Sequence, residues 1–280
     1  MPQPYSAVDL HCHTRASDGR LRPEEVVAEA ARCGVQLLAI TDHDTTAGLD
    51  EAQRAAAAAG VGLLPGVELS TQWQGRTIHV VGLAIDPAAP GLVAGLRRLD
   101  TERQRRADAI AARLDRLGLT EAASLARADA GDARLTRTHF ARALVTVGRC
   151  KSVGAAFKRY LAPGRGAYVA AEWPELTEAM DWIRDAGGQA VLAHPQAYQF
   201  GSGLRERLIA AFAAAGGGAI EVCCGNSTAS DVERARREAE MHGLCGSIGS
   251  DFHALGQPWA QLGRVAPLPR TTKPVWNRLR

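Results

Sequence analysis

Short apolar runs alternate with stretches of helical periodicity along most of this chain. Runs at Val8–His13, Leu37–Ile40, Gly62–Leu64 with Val67–Ser70, Ile78–Ile85, Gln189–Ala193, Ala219–Cys223 and Cys245–Gly249 predict strands. Between them, Val26, Val27, Ala30 and Ala31 recur at helical spacing after Pro23, and Gly34 ends that helix. Further helices are predicted over about Ala47–Ala59, Pro174–Ala186, Leu204–Ala215 and Thr228–His242. Strand followed by helix, repeated, implies parallel strands joined by crossover helices. A closed, distorted β/α barrel is the economical architecture, and an open doubly wound sheet shares the same alternation.

The rhythm breaks between about Pro87 and Arg165, where the pattern is helical and rich in Arg and Ala. The chain therefore divides into a discontinuous barrel, residues 1–86 and 166–280, and a helical insertion, residues 87–165. A connection of that length is expected to serve function. Within it, Leu92, Leu96, Leu99, Ile110, Leu114 and Leu117 mark one helical face, and Arg103 and Arg106 occupy that face's central positions. Inward guanidiniums need an anion or a carboxylate, so they are candidate phosphate clamps. Pairing with Glu102 or other nearby acids is the plainer alternative. A second basic cluster, Arg134 to His139, has Thr136 as an N-cap. It would set Arg137 and the N–H groups of Thr138 and His139 at a helix start suited to anions.

Length and composition sharpen this picture little. At 280 residues, 46% apolar and with a net charge of +3, the chain suits one soluble globular body that tolerates anionic substrates. No signal-like N-terminus or membrane-length apolar run is evident, and the six cysteines form no zinc-ribbon spacing. These features point to a reduced, cytoplasmic protein.

The informative feature is where the polar residues fall. His11, His13, His43, Glu68, His194, Asp251 and His253 lie at or just past the ends of predicted strands, which converge on one mouth in a β/α barrel. Asp18 follows in the loop after the first strand, and His79 lies early in the fourth. These nine nitrogen and oxygen donors, with no thiolate, suit two or three divalent ions. Manganese is the first expectation, with iron, zinc or magnesium as alternatives.

The segments Asp9-Leu10-His11-x-His13-Thr14, Ser17-Asp18-Gly19, Ile40-Thr41-Asp42-His43-Asp44, Pro65-Gly66-Val67-Glu68, Ala193-His194-Pro195 and Ser250-Asp251-x-His253 resemble the motifs of the PHP (polymerase and histidinol phosphatase) superfamily. They occur in family order. The resemblance implies a distorted (β/α)7 TIM-like barrel with up to three metals. One would be held by His11, His13, Glu68 and Asp251, a second by Glu68, His79 and His194, and a third by Asp18, His43 and His253. The insertion, with Thr-Arg-x-His-x-Ala-x-Ala-Leu and Arg-Tyr-Leu-x-x-Gly-Arg-x-x-Tyr, resembles the stand-alone nucleotide phosphoesterases of that superfamily. That branch includes 3′,5′-nucleoside bisphosphate phosphatases and 5′→3′ exoribonucleases.

The resulting expectation is a metal-dependent phosphoric monoester hydrolase that removes the 3′-phosphate of 3′,5′-bisphosphonucleotides by attack of a bridging hydroxide on phosphorus. His194, His253 and metal-bound water are the candidates for protonating the leaving group, with Asp44 orienting a ligand. Arg103, Arg106, Arg134, Arg137, Thr138, His139, His43 and His253 are the expected substrate contacts. The substrate would be a small nucleotide with two phosphates or a short oligoribonucleotide, with no membrane and no obligate protein partner. Trimming of short RNA from its 5′ end and a histidinol-phosphatase-like activity are the enzymatic alternatives. A non-catalytic module bound to a polymerase is the alternative from another class. Sequence position alone does not set Trp73, Tyr168, Trp173 or Tyr198 beside a base.

Overall fold

The computed structural model describes residues 7–225 and 227–279, so the outermost ends of the expected barrel segments, and residue 226, lie outside the described residues. Seven strands form one sheet in chain order: β1 (Val8–Asp9), β2 (Leu37–Ile40), β3 (Gly62–Trp73), β4 (Arg76–Leu83), β5 (Gln189–Leu192), β6 (Ala219–Cys224) and β7 (Cys245–Gly249). The seam is drawn together by Leu10 N–H donating to Ile248 O, and by Cys12 bridging in parallel to Phe252. The result is a nearly closed, distorted TIM-like barrel, and the open-sheet alternative is excluded.

Helices α1 (Pro23–Arg32), α2 (Leu49–Ala59), α7 (Leu176–Asp185), α8 (Ser202–Ala214) and α9 (Ala229–Met241) accompany the strands. Between β4 and α7 run α3 (Pro90–Arg116), α4 (Thr120–Ala130), α5 (Arg137–Thr146), α6 (Val153–Ala156) and a π turn, Phe157–Leu161. Among the described residues, no helix is long and apolar enough to cross a membrane.

The third strand joins its two apolar runs as expected and runs on to Trp73, 12 residues in all. One expectation about the strands needs correction: β4 is antiparallel to both its neighbours, whereas β1–β2–β3 and β5–β6–β7 are parallel. The cause is local. Trp73 pairs with Arg76 across Gln74 and Gly75, both with positive φ, the two-residue hairpin that returns a strand beside itself.

Strand side chains alternate between faces, and that parity sorts the core. Val67, Leu69, Ile78, Val80 and Leu192 point outward under the helices. Leu64, Val81, Leu83, Val191, Ala219 and Cys245 point inward, and Val275 joins them. Continuing the inward parity toward the mouth brings Glu68, His79, Glu221, Ser247 and Gly249. The insertion has its own apolar cluster, including Ile110, Leu114, Phe140 and Leu144. Helix α3 serves both bodies, since Leu92 and Leu99 belong to the barrel cluster.

Candidate metal centre

Glu68 is the hub. It is fully buried and sits inside β3, with β4 beside it. Its Oε1 lies 3.0 Å from both His79 Nδ1 and His194 Nε2. Its Oε2 lies 3.4 Å from Nε2 of both His11 and His13, and 2.8 Å from His43 Nδ1. His11 and His13 do point the same way, with their Nε2 atoms 3.2 Å apart. Asp251 Oδ1 reaches them at 3.6 and 3.2 Å. On the far side of His13, Asp18 Oδ1 is 3.4 Å from His253 Nε2 and 3.9 Å from His43 Nε2. All nine expected donors therefore meet around one pocket. His79 reaches it because antiparallel β4 starts at the mouth, contrary to the strand-end rule applied to the sequence.

The expected division into three ligand sets is less clean than the motifs imply. Donor atoms converge within 4.8 Å in three groups: His13, Asp18, His43 and His253; His11, His13 and Glu68; and His43, Glu68 and His79. His13 and His43 thus stand between sets. Among the described residues, His13 Nδ1, Asp18 Oδ1 and His194 Nδ1 are buried without a hydrogen-bond partner, and His43 Nδ1 and Glu68 Oε2, though 2.8 Å apart, are not aligned for one. Buried polar atoms are rarely left so, and this many around one space fit divalent cations. The electrostatics agree. Burial alone would raise the Glu68 carboxyl, yet His43, His79 and His11 hold it well below the usual range. Burial, reinforced by His253 and His43, pushes His13 down to about 3. Against its own burial, Asp18 draws the neighbouring His253 up to about 9. One imidazole driven to shed a proton beside another driven to keep it is a set of donors competing for positive charge.

Several buried groups hold this arrangement. Asp42 accepts from Thr14 N–H, Thr14 Oγ1 and Ser17 Oγ, which folds the loop carrying Asp18. Asp9 accepts from the N–H groups of Ser250 and Gly263. Asp44, His194 and Asp251 all have positive φ, a conformation that costs energy in residues other than glycine and clusters at functional sites. Glu221 was missed by the sequence reading. Its Oε1 lies 2.7 Å from His11 Nδ1, and its Oε2 accepts from His194 N–H at 2.6 Å. The available signal was a lone carboxylate inside the otherwise apolar run Ala219–Cys224. Tyr198 is also structural, with its hydroxyl accepting from His79 N–H at 2.8 Å.

The expected substrate contacts divide. Arg103 and Arg106 are buried as the helical stripe predicts, with both guanidiniums against the Trp173 ring. Arg103 donates to Asp44 Oδ2 at 2.6 Å and Ser70 Oγ at 3.1 Å. Asp44 also accepts from Ser70 N–H, so it braces an arginine where it was expected to orient a metal ligand. Arg106 donates to Val169 O at 3.0 Å. Its guanidinium is pushed down to about 9 by burial, then by Arg137 and Arg103. Arg137 is partly buried over the Phe157 ring. Arg134 is exposed and paired with Asp100, a correction to its place as a clamp. A second correction concerns the helix start. Thr136 is the N-cap and accepts from the N–H groups of both Thr138 and His139, while His139 Nδ1 accepts from Thr136 N–H. Those donors are spent on the cap. Thr136 Oγ1 also meets Asp18 Oδ2, and Arg142 donates to Asp18 O, so α5 docks on the metal-binding loop.

Two cavities adjoin the centre. One, about 480 Å³, is reached from His43, Asp44, Arg103 and Thr136. The other, about 430 Å³, is reached from His194, Asp251 and His253.

Comparison with known proteins agrees with this geometry. Residues 9–191 match the family described as PHP domain. The chain is 45% identical to a 3′,5′-nucleoside bisphosphate phosphatase of Chromobacterium violaceum, over 97% of this chain and 96% of that one. It is 43% identical to a 5′-3′ exoribonuclease of Haemophilus influenzae, over 96% and 98%. Among solved structures, a Chromobacterium violaceum amidohydrolase with bound sulfate superimposes with a TM-score of 0.94 at 44% identity, covering 98% and 96%. A candidate metal-dependent phosphoesterase of Bifidobacterium adolescentis gives 0.83 at 27% identity, covering 99% and 96%.

Proposed function

The chain belongs to the PHP domain family, and from that premise we propose that it is a metal-dependent phosphomonoesterase that removes the 3′-phosphate from 3′,5′-bisphosphonucleotides. The observation that carries the proposal is a pairing of two features. Five imidazoles surround one buried carboxylate, and beside them α3 brings in two buried guanidiniums, Arg103 braced by Asp44 and Arg106 donating to a backbone carbonyl. Divalent ions at the first feature would supply activation of water and neutralisation of charge on the phosphoryl oxygens. His11, His13, Glu68 and Asp251 would hold one ion, Glu68, His79 and His194 a second, and Asp18, His43 and His253 a third. Nitrogen and oxygen donors without a thiolate suit manganese, iron, zinc or magnesium alike, and manganese is our first assignment.

Arg103, Arg106 and Arg137 would receive the remote 5′-phosphate, with Asp44 positioning Arg103. Water adds to phosphorus as the bond to the 3′-oxygen breaks, and that oxygen needs a proton. His194 and His253 are the groups we assign to it, because both line the second cavity beside Asp251. Residues 87–165 would act as a separate lid that carries the arginines. We place the enzyme in the cytoplasm, where its six free thiols stay reduced. The reading requires no protein partner.

Removal of the 5′-terminal nucleotide from short RNA is a second reading. The two cavities share no lining residue and both reach the centre, which leaves room for chain on either side. The test is phosphate release from adenosine 3′,5′-bisphosphate, AMP and histidinol phosphate, with added Mn²⁺ and after exhaustive chelation. Preference for the bisphosphate, lost on chelation and restored by metal, is expected. Turnover that survives chelation, or equal rates on all three compounds, would reject the proposal.

A further inference from the structure

The second cavity has an indole at its edge. Trp259 is 57% exposed although it lines the same cavity as His194, Asp251 and His253. The segment that carries it is fixed on both sides. A Cβ on Gly225 would collide with the carbonyl oxygens of Trp259 and Ser250, so the end of β6 packs directly on the backbone of Trp259. Ala260 and Leu262 are buried beside it, and Gly263 N–H donates to buried Asp9 at 3.0 Å. Trp259 thus combines an anchored backbone with a side chain that keeps much of its apolar surface uncovered. No other tryptophan is so placed among the described residues. Trp173 is buried beneath Arg103 and Arg106, and neither Trp73, Trp182 nor Trp276 lines this cavity.

We propose that Trp259 is the stacking platform for the nucleobase, which therefore occupies the second cavity while the 5′-phosphate turns toward the arginines of α3. The inference rests on the nucleotide reading above and adds the direction in which the nucleoside lies. The base, 3′-oxygen and 5′-carbon leave the ribose in different directions. A nucleotide with its 3′-phosphate at the centre can thus send its other two substituents to separate cavities. The same cavity, about 430 Å³, is lined in part by the small residues Gly154, Ala197 and Ala254, which leaves it free of bulk on those sides. Stacking of this kind tolerates any base, because each presents a π face.

Phosphate release is measured on adenosine 3′,5′-bisphosphate and on ribose 3,5-bisphosphate, which lacks the base. Trp259→Ala is expected to raise KM for the nucleotide roughly tenfold more than for the sugar bisphosphate, and Trp259→Phe to recover most of that difference. Equal changes on both substrates would overturn the platform. A second readout needs no turnover: AMP should quench tryptophan fluorescence in the parent protein, with the quench lost in Trp259→Ala. Quenching that disappears with Trp259 in a protein releasing no phosphate keeps the platform and rejects the reaction. Turnover of the nucleotide with quenching absent, or unaltered by the substitution, rejects the platform and keeps the reaction.

Discussion

Glu221 Oε1 lies 2.7 Å from Nδ1 of His11, and both side chains are sealed from solvent. The contact fixes the imidazole so that Nε2 faces Glu68 and His13. Burial would lower the His11 pKa, but the Glu221 and Glu68 charges outweigh it and hold His11 well above its ordinary value. A carboxylate behind a ligating histidine commonly governs metal affinity about 10–100-fold. Glu221→Gln should therefore weaken metal binding by that factor, read by competition with a chelator, while circular dichroism stays that of the parent. Unchanged affinity would show that Glu221 only fills the core.

Arg137 and Arg134 are close in sequence but differ in setting. Arg137 is partly buried over Phe157, whereas Arg134 is exposed and already paired with Asp100. Losing a charge-assisted bond costs about 1.5–3 kcal/mol, so Arg137→Ala should raise KM for the bisphosphate roughly 10–100-fold. Its effect on p-nitrophenyl phosphate, which has no remote phosphate, should be much smaller. Arg134→Ala should stay within about threefold on both, because an exposed ion pair contributes little. Similar losses from the two variants on both substrates would argue against a remote-phosphate site at Arg137.

Gly249, at the end of β7, leaves no room for a side chain. An added Cβ would collide with His11 Cβ and stand 3.0 Å from Glu221 Oε1. Gly249→Ala should lower stability by about 1–3 kcal/mol, as overpacking does. It should also reduce bound metal, because the displaced atoms belong to His11 and its brace. Denaturant unfolding and elemental analysis of the same preparation check both halves. A variant of parental stability and metal content would show that the β1–β7 seam can give way.

The cysteines should separate by accessibility. Cys12, Cys223, Cys224 and Cys245 are buried, and Cys33 and Cys150 are half-buried. Burial, helped by the Glu221 charge, pushes the Cys223 thiol up to about 12. Its thiolate fraction at neutral pH is then about a thousand times below that of an ordinary cysteine. Iodoacetamide followed by mass mapping should label Cys33 and Cys150 in the native protein and the other four only after unfolding. Prompt labelling of Cys223 would contradict the packing beneath β6.

Much of the centre was legible because strand ends repeat one simple geometry. His11, His13, His43, His194, Asp251 and His253 follow apolar runs, and parallel strands carry all such positions to one mouth. His79 escaped that logic. The hairpin signal, Gln74-Gly75 between two apolar runs, was present but was read as one more step of the alternation. Glu221 could have been found by carrying the inward parity of Ala219 two residues along β6. The Arg103–Asp44 contact could not, because it joins α3 to a loop 59 residues earlier. Helical spacing correctly turned Arg103 inward, but only the packed structure supplies its partner. Likewise, the sequence suggests Thr136 as a cap without showing that the cap consumes the N–H groups of Thr138 and His139.

The reversed direction of β4 has a mechanical result. Because that strand ends at the floor of the barrel, α3 has to climb the outside wall, and its 27 residues give it a length of about 40 Å. Its lower half is splinted to the wall, with Gly95 pressed so closely against Trp182 of α7 that a methyl group would not fit. The upper half bears Arg103 and Arg106 and continues into the insertion's own core. The arginines thus ride on a beam rooted at its base and held again at mid-length, where Arg103 ties it to Asp44 and Ser70 and Arg106 to the Val169 carbonyl of the return path.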